Sequence, residues 1–378
     1  MNHRTAVDFA PGLEGVVATR TRLSMVDGSA GRLVIAGFPV EELAGMATFE
    51  ETLYLLWNGS LPDEEQLAVL RGDLAVRRAL PKVAGDVLKE AAAARMPPMD
   101  ALRMAAGTLG TGDGDDRLDA LRLVAAFPTI AAAYWRFSQG WEPIEPDPAL
   151  SHAANYLYML SGETPTAEQV RALETYLNTV SDHGMNASTF AARVIISTRS
   201  DVISAVVGAV GALKGPLHGG APGPALDVVF EIGEAGNAEP VLRAKLESGE
   251  RLMGFGHRVY RVRDPRADVL AAAAERLYAT DADRDLYRLA LDVEKTAVRL
   301  LEEYKPGRNL DTNVEFYTAL LLHGLGLPTE LFTPTFAVGR VAGWTAHCFE
   351  QRELDRIIRP QSEYVGPDGL HWAPLEER

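Results

Sequence analysis

The sequence predicts a mainly α-helical protein, because apolar residues recur at helical spacing and strand patterns are few. The apolar residues within 170–180 are spaced by three or four positions, which places them on one face of a helix. Thr166, with Gln169 three positions later, is the capping-box pattern that begins such a helix. Alanine-rich runs at 91–94 and 271–274 further favour helix.

The same spacing predicts more helices in the second half of the chain. One carries apolar residues from Leu289 to Tyr304 and ends at Pro306. Another begins at Asp264-Pro265, where proline at an early helical position costs little because its missing N–H has no helical partner there. The most apolar stretch, Val202–Leu213, is too short to span a bilayer and predicts a buried helix.

Strand candidates lie only near the N-terminus. Leu33–Gly37 is a short apolar run that predicts a strand, and Gly15–Thr19 is expected to pair with a segment near it. The acidic run Gly112–Asp116 lacks the ligand spacing of a calcium loop, so we expect a solvated loop there.

Length and composition limit the domain count and exclude several functions. With 378 residues the chain suggests two domains, or one large domain with a smaller one inserted. A net charge of −15 argues against nucleic-acid binding, which needs a basic face, but allows a small anion held by a few arginines. The single Cys348 excludes an intrachain disulfide and fits a reducing compartment. With no signal-peptide or membrane-spanning pattern, the cytoplasm is the expected location.

Three of the eight histidines lie beside glycine in segments rich in turn-forming residues: His183, His218 and His257. Glycine lets a ligand approach the backbone and the imidazole together. A structural role is an equal alternative for any one of them, but the three together predict a ligand site. No HxxxH or HExxH spacing, complete GxGxxG, P-loop or GxSxG motif accompanies them, so neither a metal site, a nucleotide site nor a serine hydrolase is predicted.

Arginines supply the second part of the candidate site. Guanidinium groups bind carboxylates with two parallel hydrogen bonds. The candidate arginines are Arg258, Arg261, Arg263 and Arg266 within nine residues, and then Arg340 and Arg359. For the first three of these, exposure on a solvated helix face is the alternative to ligand binding.

Glu315 is the candidate base, because its apolar neighbours predict partial burial and hence a raised pKa. A glutamate that only begins a helix is the alternative. Imidazoles, arginines and one carboxyl group together suit proton removal beside a carbonyl. The residues therefore indicate carbon–carbon bond formation or cleavage on a small di- or tricarboxylate.

Nearly the whole chain resembles the citrate synthase family. The resemblance is carried, in family order, by DHGMNASTFAARVI, GALKGPLHGGAPGPALDVV, LMGFGHRVYRVRDPRADVL, NVEFYTALLLHGLG and PTFAVGRVAGWTAH. It implies an all-α fold of two domains, and the compact length resembles the homodimeric type. Residues 1–220 and 326–378 would form the large dimerising domain, and residues 221–325 a small domain that closes over the substrates.

The resemblance also implies roles for individual residues. Glu315 would remove the methyl proton of acetyl-CoA, His218 would bond the thioester carbonyl, and His257 would donate to the ketone of oxaloacetate. A basic set would hold the oxaloacetate carboxylates: His183, Arg266, Arg340 and, from the second subunit, Arg359.

Coenzyme A would contact the backbone of Leu252, Met253, Gly254, Phe255 and Gly256, with Lys305 or Arg308 at its phosphates. No metal and no further cofactor is implied. The implied activity is acetyl-CoA condensation with oxaloacetate and hydrolysis of citryl-CoA. The alternatives are 2-methylcitrate synthesis from propionyl-CoA and a catalytically inactive ligand-binding scaffold.

Two departures from the family pattern stand out. Glu315 occupies a position where the family usually has aspartate, one methylene shorter. An ångström of misplacement can cost about 100-fold in rate, so the backbone is expected to lie farther back. Pro222-Gly223-Pro224 follows the HGGA segment where Asn-Glu is common, which changes the helix start behind His218.

Overall fold

The computed structural model describes residues 9–110, 112, 114–219, 222–234, 236–257, 259–260, 262–279 and 284–378, and this part of the chain is mainly α-helical. Its sixteen α-helices are α1 (Val40–Met46), α2 (Phe49–Asn58), α3 (Glu64–Ala75), α4 (Lys82–Ala93), α5 (Pro98–Ala106), α6 (Asp116–Ser138), α7 (His152–Ser161), α8 (Ala167–Val180), α9 (Ala187–Ile196), α10 (Val202–Leu213), α11 (Pro222–Ile232), α12 (Ala238–Glu247), α13 (Pro265–Tyr278), α14 (Arg284–Tyr304), α15 (Val314–Gly324) and α16 (Phe332–Leu354). The predicted fold class is confirmed.

A small antiparallel sheet precedes the helices, in the order β1 (Ser24–Asp27), β2 (Arg32–Ile35) and β3 (Phe38–Pro39). The strand predicted at Leu33–Gly37 is confirmed as β2. The strand predicted at Gly15–Thr19 is wrong, because β2 pairs with the residues just before it in a hairpin. The Asp27 carboxylate closes that hairpin by accepting the backbone N–H groups of the turn.

Helix boundaries follow the sequence signals. Thr166 and Gln169 form the predicted capping box of α8, with hydrogen bonds of 3.2 and 2.9 Å. Asp264 caps α13 at its predicted start, and α14 ends at Tyr304, two residues before Pro306. In the acidic run, Asp115 caps α6 and Asp116 is already helical; residues 111 and 113 lie outside the described residues.

Helix α16 runs through the centre of the molecule and packs against α2, α6, α8, α9 and α10. Two of its glycines allow an unusually close approach. A Cβ on Gly343 would lie 2.2 Å from the Ser181 carbonyl, and one on Gly339 would lie 2.9 Å from the Leu177 carbonyl. Because α16 is this close to the end of α8, its neighbouring Arg340 reaches the carbonyl of Val180, the last residue of α8.

Helices α11 to α15 pack against one another, and α13 also packs against α1 and α8. The domain boundary at residues 220/221 and 325/326 stays a prediction. None of the helices in the described residues is both long and apolar enough to cross a membrane.

Candidate active site

Five segments contribute to the candidate site: the loop between α8 and α9, the turn before α11, the loop before α13, the start of α15 and, through Arg340, the middle of α16. The rings of His183 and His257 have centroids 6.0 Å apart. His218 contacts Ser188 at the start of α9, and burial and nearby arginines, Arg340 among them, lower the pKa of both His183 and His218. His183 and His257 are therefore in ring contact, and His218 shares Arg340 with His183 as a charged neighbour.

His257 is held by its own turn. Its Nδ1 accepts backbone N–H groups from Val259 at 3.0 Å and from Tyr260 at 3.1 Å. Burial and the charge of Arg266 lower the pKa of His257 to about 4, so the ring is neutral near pH 7. A neutral ring whose Nδ1 accepts must carry its proton on Nε2, and His257 is therefore a donor at Nε2.

His218 is held by a residue of another segment. The Ser188 backbone N–H and hydroxyl lie 3.4 and 2.7 Å from His218 Nε2, and Trp344 Nε1 donates to that hydroxyl. Because a backbone N–H can only donate, Nε2 accepts and Nδ1 carries the proton. Burial and Arg340 lower the pKa of His218 to about 4.

Arg266 is fixed by Asp264 before any ligand binds. Its Nε and Nη2 donate to the two Asp264 oxygens at 3.0 and 2.8 Å, and both side chains are buried. Asp264 also accepts the backbone N–H of Val314, the residue before Glu315. Arg266 Nη2 lies 3.5 Å from His257 Nε2, so the guanidinium stands beside the imidazole donor.

Arg340 is buried with part of its hydrogen-bonding capacity unused. Its Nε donates to the Val180 carbonyl at 2.5 Å, and its guanidinium lies 4.6 Å from the Phe336 ring. Its Nη1 is buried and has no hydrogen-bond partner among the described residues. Burial and Arg266 lower the pKa of Arg340 to about 10, so it stays cationic at neutral pH. A buried cation with an unpaired N–H is suited to an anionic ligand.

Glu315 is the second residue of α15, where Asn313 caps the helix by accepting the Glu315 backbone N–H at 2.9 Å. Burial raises the pKa of Glu315 to about 7, and nearby Asp264 adds to the rise, while Arg266 and Arg340 oppose it. The predicted direction of this shift is confirmed. A carboxyl group with a pKa near 7 is a useful general base at neutral pH.

The segment of Leu252 to Gly256 lies against the residues that lead into α15. Phe255 pairs with Thr312 in an isolated bridge, and Asn313 N donates to the Gly254 carbonyl at 3.0 Å. Gly254 and Gly256 have positive φ angles of 89° and 76°. Leu252 and Phe255 are buried and Met253 is half-buried, and the contact of this backbone with coenzyme A stays a prediction.

The remaining predicted residues that the structure describes have no hydrogen bond or ion pair with the imidazoles or Glu315. Lys305 and Arg308 follow the end of α14, the first half-buried and the second exposed. Arg359 is exposed on the C-terminal segment, where it lines a cavity of about 540 Å³ that shares no lining residue with the imidazole cluster. Arg263 lies in the loop before α13, so it is not on the solvated helix face given as its alternative, and its ion pairs with Asp268 and Glu294 favour a structural role. Arg258 and Arg261 lie outside the described residues.

Sequence reasoning missed the residues that orient the site, chiefly Ser188, Tyr260, Asp264 and Trp344. Ser188, Tyr260 and Asp264 each hydrogen-bond to a site residue. Trp344 acts through Ser188. The sequence marked Asp264 only as a helix start, and no spacing marks the other contacts. Within the described parts of the chain, no group of three or more His, Cys, Asp or Glu side chains could hold a metal ion.

Known proteins are similar to this chain in sequence and in fold. A family model described as citrate synthase, C-terminal domain, matches residues 12–361. A citrate synthase of Haloferax volcanii is 41% identical, with 97% of this chain and 98% of the relative covered. A 2-methylcitrate synthase of Shewanella oneidensis is 40% identical, with 97% of each chain covered.

Among solved structures, the ternary complex of Thermoplasma acidophilum citrate synthase with carboxymethyl coenzyme A and oxaloacetate is similar, with a TM-score of 0.86 at 31% identity. The alignment covers 98% of this chain and 100% of that one. The match therefore extends over both the helical scaffold and the segments that form the candidate site. The chain belongs to the citrate synthase family and is an enzyme of the acyltransferase class.

Proposed function

We propose that the protein is a citrate synthase, which condenses acetyl-CoA with oxaloacetate and hydrolyses citryl-CoA to citrate and CoA. One observation carries the proposal: two neutral imidazoles with opposite tautomers share a site with a carboxyl group whose pKa is about 7. This set can remove a carbon-bound proton and stabilise oxygen charge at two carbonyl groups without a metal or redox cofactor.

In the first step, the Glu315 carboxylate takes a methyl proton from acetyl-CoA, and the oxygen of the resulting enolate accepts a hydrogen bond from His218 Nδ1–H. The enolate carbon then attacks the ketone carbon of oxaloacetate, and the ketone oxygen takes the proton of His257 Nε2, which gives citryl-CoA. The proton held by Glu315 equals the one lost by His257, so its return to His257 restores both side chains. Water then cleaves the thioester, which releases CoA and leaves citrate.

Oxaloacetate is proposed to bind through His183, Arg266 and Arg340. Arg340 offers its unpaired buried Nη1, and Arg266 is already oriented by Asp264. In a homodimer, Arg359 of a second copy would complete the set, since in a single chain it lines a separate cavity.

The CoA part of the substrate is assigned to the backbone of residues 252–256, with Lys305 or Arg308 at its phosphates. Residues 221–325 would act as the small domain. We expect oxaloacetate to bind first and to drive closure, which keeps water from the thioester until citryl-CoA has formed. The cytoplasm remains the proposed location, where the buried Cys348 thiol stays reduced.

Synthesis of 2-methylcitrate from propionyl-CoA is the second candidate, since similar relatives carry either name. One methylene in an apolar pocket is worth only about 1–3 kcal/mol, so the same residues could serve both donors.

The deciding experiment measures thiol release by the purified protein with oxaloacetate and either acetyl-CoA or propionyl-CoA. We expect the higher kcat/KM with acetyl-CoA. A clear preference for propionyl-CoA would make the enzyme a 2-methylcitrate synthase. Lack of release with both donors would contradict the enzyme proposal and support the inactive scaffold.

A further inference from the structure

Tyr260 contacts both imidazoles of the proposed oxaloacetate site, and its side chain has no role in the proposed function. Its side chain is only 1% exposed. Its hydroxyl lies 3.1 Å from His183 Nε2, and its ring centroid lies 4.8 Å from that of His257 and 5.7 Å from that of His183. The Arg266 guanidinium lies 5.9 Å from the same ring.

The backbone N–H and the hydroxyl of Tyr260 contact different histidines. Its backbone N–H donates to His257 Nδ1 and so helps to fix that tautomer. Its phenol contacts His183, which belongs to the loop between α8 and α9 and is otherwise remote from Tyr260 in the chain. Burial, together with Arg266 and Arg340, lowers the pKa of His183 well below its ordinary value, and burial raises the pKa of Tyr260. Both partners are therefore neutral, and the bond joins two uncharged groups.

We propose that Tyr260 is a positioning residue for the keto acid: its hydroxyl holds the His183 ring 6.0 Å from His257, so that a carboxylate and the ketone of one ligand are bound together. This inference rests on the proposed function for the identity of the ligand. It assigns the hydroxyl a role in ligand affinity and none in the chemical step.

Tyr260→Phe removes the hydroxyl and leaves the ring and the backbone N–H in place. We expect the KM and the calorimetric Kd for oxaloacetate to rise about 3–10-fold, with kcat and the KM for acetyl-CoA within about twofold of wild type. Tyr156→Phe is the matched control. Tyr156 is also a buried phenol with a single hydroxyl partner, Thr335, but lies in α7 and should change none of these constants.

A double-mutant cycle with His183→Asn separates positioning from general packing. If Tyr260 acts through His183, Tyr260→Phe should have no further effect on the oxaloacetate Kd in the His183→Asn background. Additive effects would overturn the proposal, as would an unchanged Kd in the single variant or a fall in kcat with an unchanged KM.

The calorimetric Kd keeps this test separate from the test of activity. If wild type binds oxaloacetate but releases no thiol with either acyl donor, the proposed function fails, and the Kd comparison still decides the role of Tyr260. If wild type turns over and Tyr260→Phe binds oxaloacetate normally, only the role of Tyr260 fails.

Discussion

His257 and His218 are both neutral donors, yet different parts of the chain fix them. His257 is set by backbone N–H groups two and three residues ahead in its own turn. His218 is set by Ser188, which lies 30 residues away at the start of α9. The rings consequently offer opposite nitrogens, Nε2 for His257 and Nδ1 for His218. A tautomer fixed by local backbone withstands side-chain substitution, whereas one fixed by a tertiary contact depends on the packing of another helix.

The largest expected effect comes from removing Glu315, the proposed base, which acts together with both imidazoles. Glu315→Gln keeps the side-chain shape but cannot accept the methyl proton, so we expect turnover to fall by about 10²–10⁴-fold. Oxaloacetate binding should stay nearly intact, because Arg266 is held by Asp264 independently of Glu315. Thiol-release kinetics and calorimetric titration of oxaloacetate measure the two quantities.

Glu168→Gln is the control for this substitution, because Glu168 is also the second residue of a helix but is exposed. Its turnover should match wild type. Unchanged turnover in Glu315→Gln would remove Glu315 from the mechanism.

In wild type, kcat/KM should rise with pH through about 7, where the Glu315 carboxyl group ionises, and should be insensitive to the imidazoles, which titrate near 4.

A smaller effect is expected from a substitution at Ser188, the residue of another segment that holds His218. Ser188→Ala removes the hydroxyl that lies 2.7 Å from Nε2, donates to Asn186 Oδ1 and accepts from Trp344 Nε1, but it keeps the backbone N–H that gives Nδ1 the proton. The hold on the His218 ring is therefore weakened rather than lost, and we expect kcat to fall about 3–10-fold, as for the loss of hydrogen bonds of ordinary strength. Steady-state kinetics with saturating oxaloacetate provide the measurement.

The matched substitution is Ser204→Ala at the start of α10, where the hydroxyl donates to Asp201 in the same turn and bonds to no other residue that the structure describes. It should leave kcat unchanged. Equal losses in the two variants would mean that helix starts matter in general and would contradict a specific role for the contact between Ser188 and His218.

The sequence was sufficient where the signal is local. Helical spacing, the Thr166 capping box and the Asp264-Pro265 start were all predicted, because each depends on residues within one or two turns. The false strand at Gly15–Thr19 shows the limit. Its apolar pattern resembles that of β2, but Val17 is 86% exposed, and strand pairing was decided by the hairpin turn.

The candidate site likewise contains residues that the sequence identified and contacts that it did not. The imidazoles, arginines and Glu315 could be identified because their residue types and glycine neighbours are visible in the sequence. The contacts that set tautomers and orientation could not, since Ser188 with His218 and Tyr260 with His183 join distant segments. The roles taken from the family resemblance remain predictions for every site residue, including Arg359, which lines its own cavity in a single chain.

The smallest expected effect is on thermal stability. It comes from the buried Glu315 carboxyl group and not from the imidazoles, which are already neutral in this pH range. The folded protein raises the pKa of this carboxyl group from 4.5 to about 7, so between these values the folded state binds more protons than the unfolded state. Stability therefore falls as pH rises from about 4.5 to 7, and the loss is complete above that range. Glu315→Gln removes a group that is costly to ionise, so its Tm should exceed that of wild type by a few degrees at pH 8 and much less at pH 5. Glu168→Gln should show no such pH-dependent gain, and a Tm difference for Glu315→Gln that is the same at both pH values would mean that the carboxyl group is not held in its neutral form by burial.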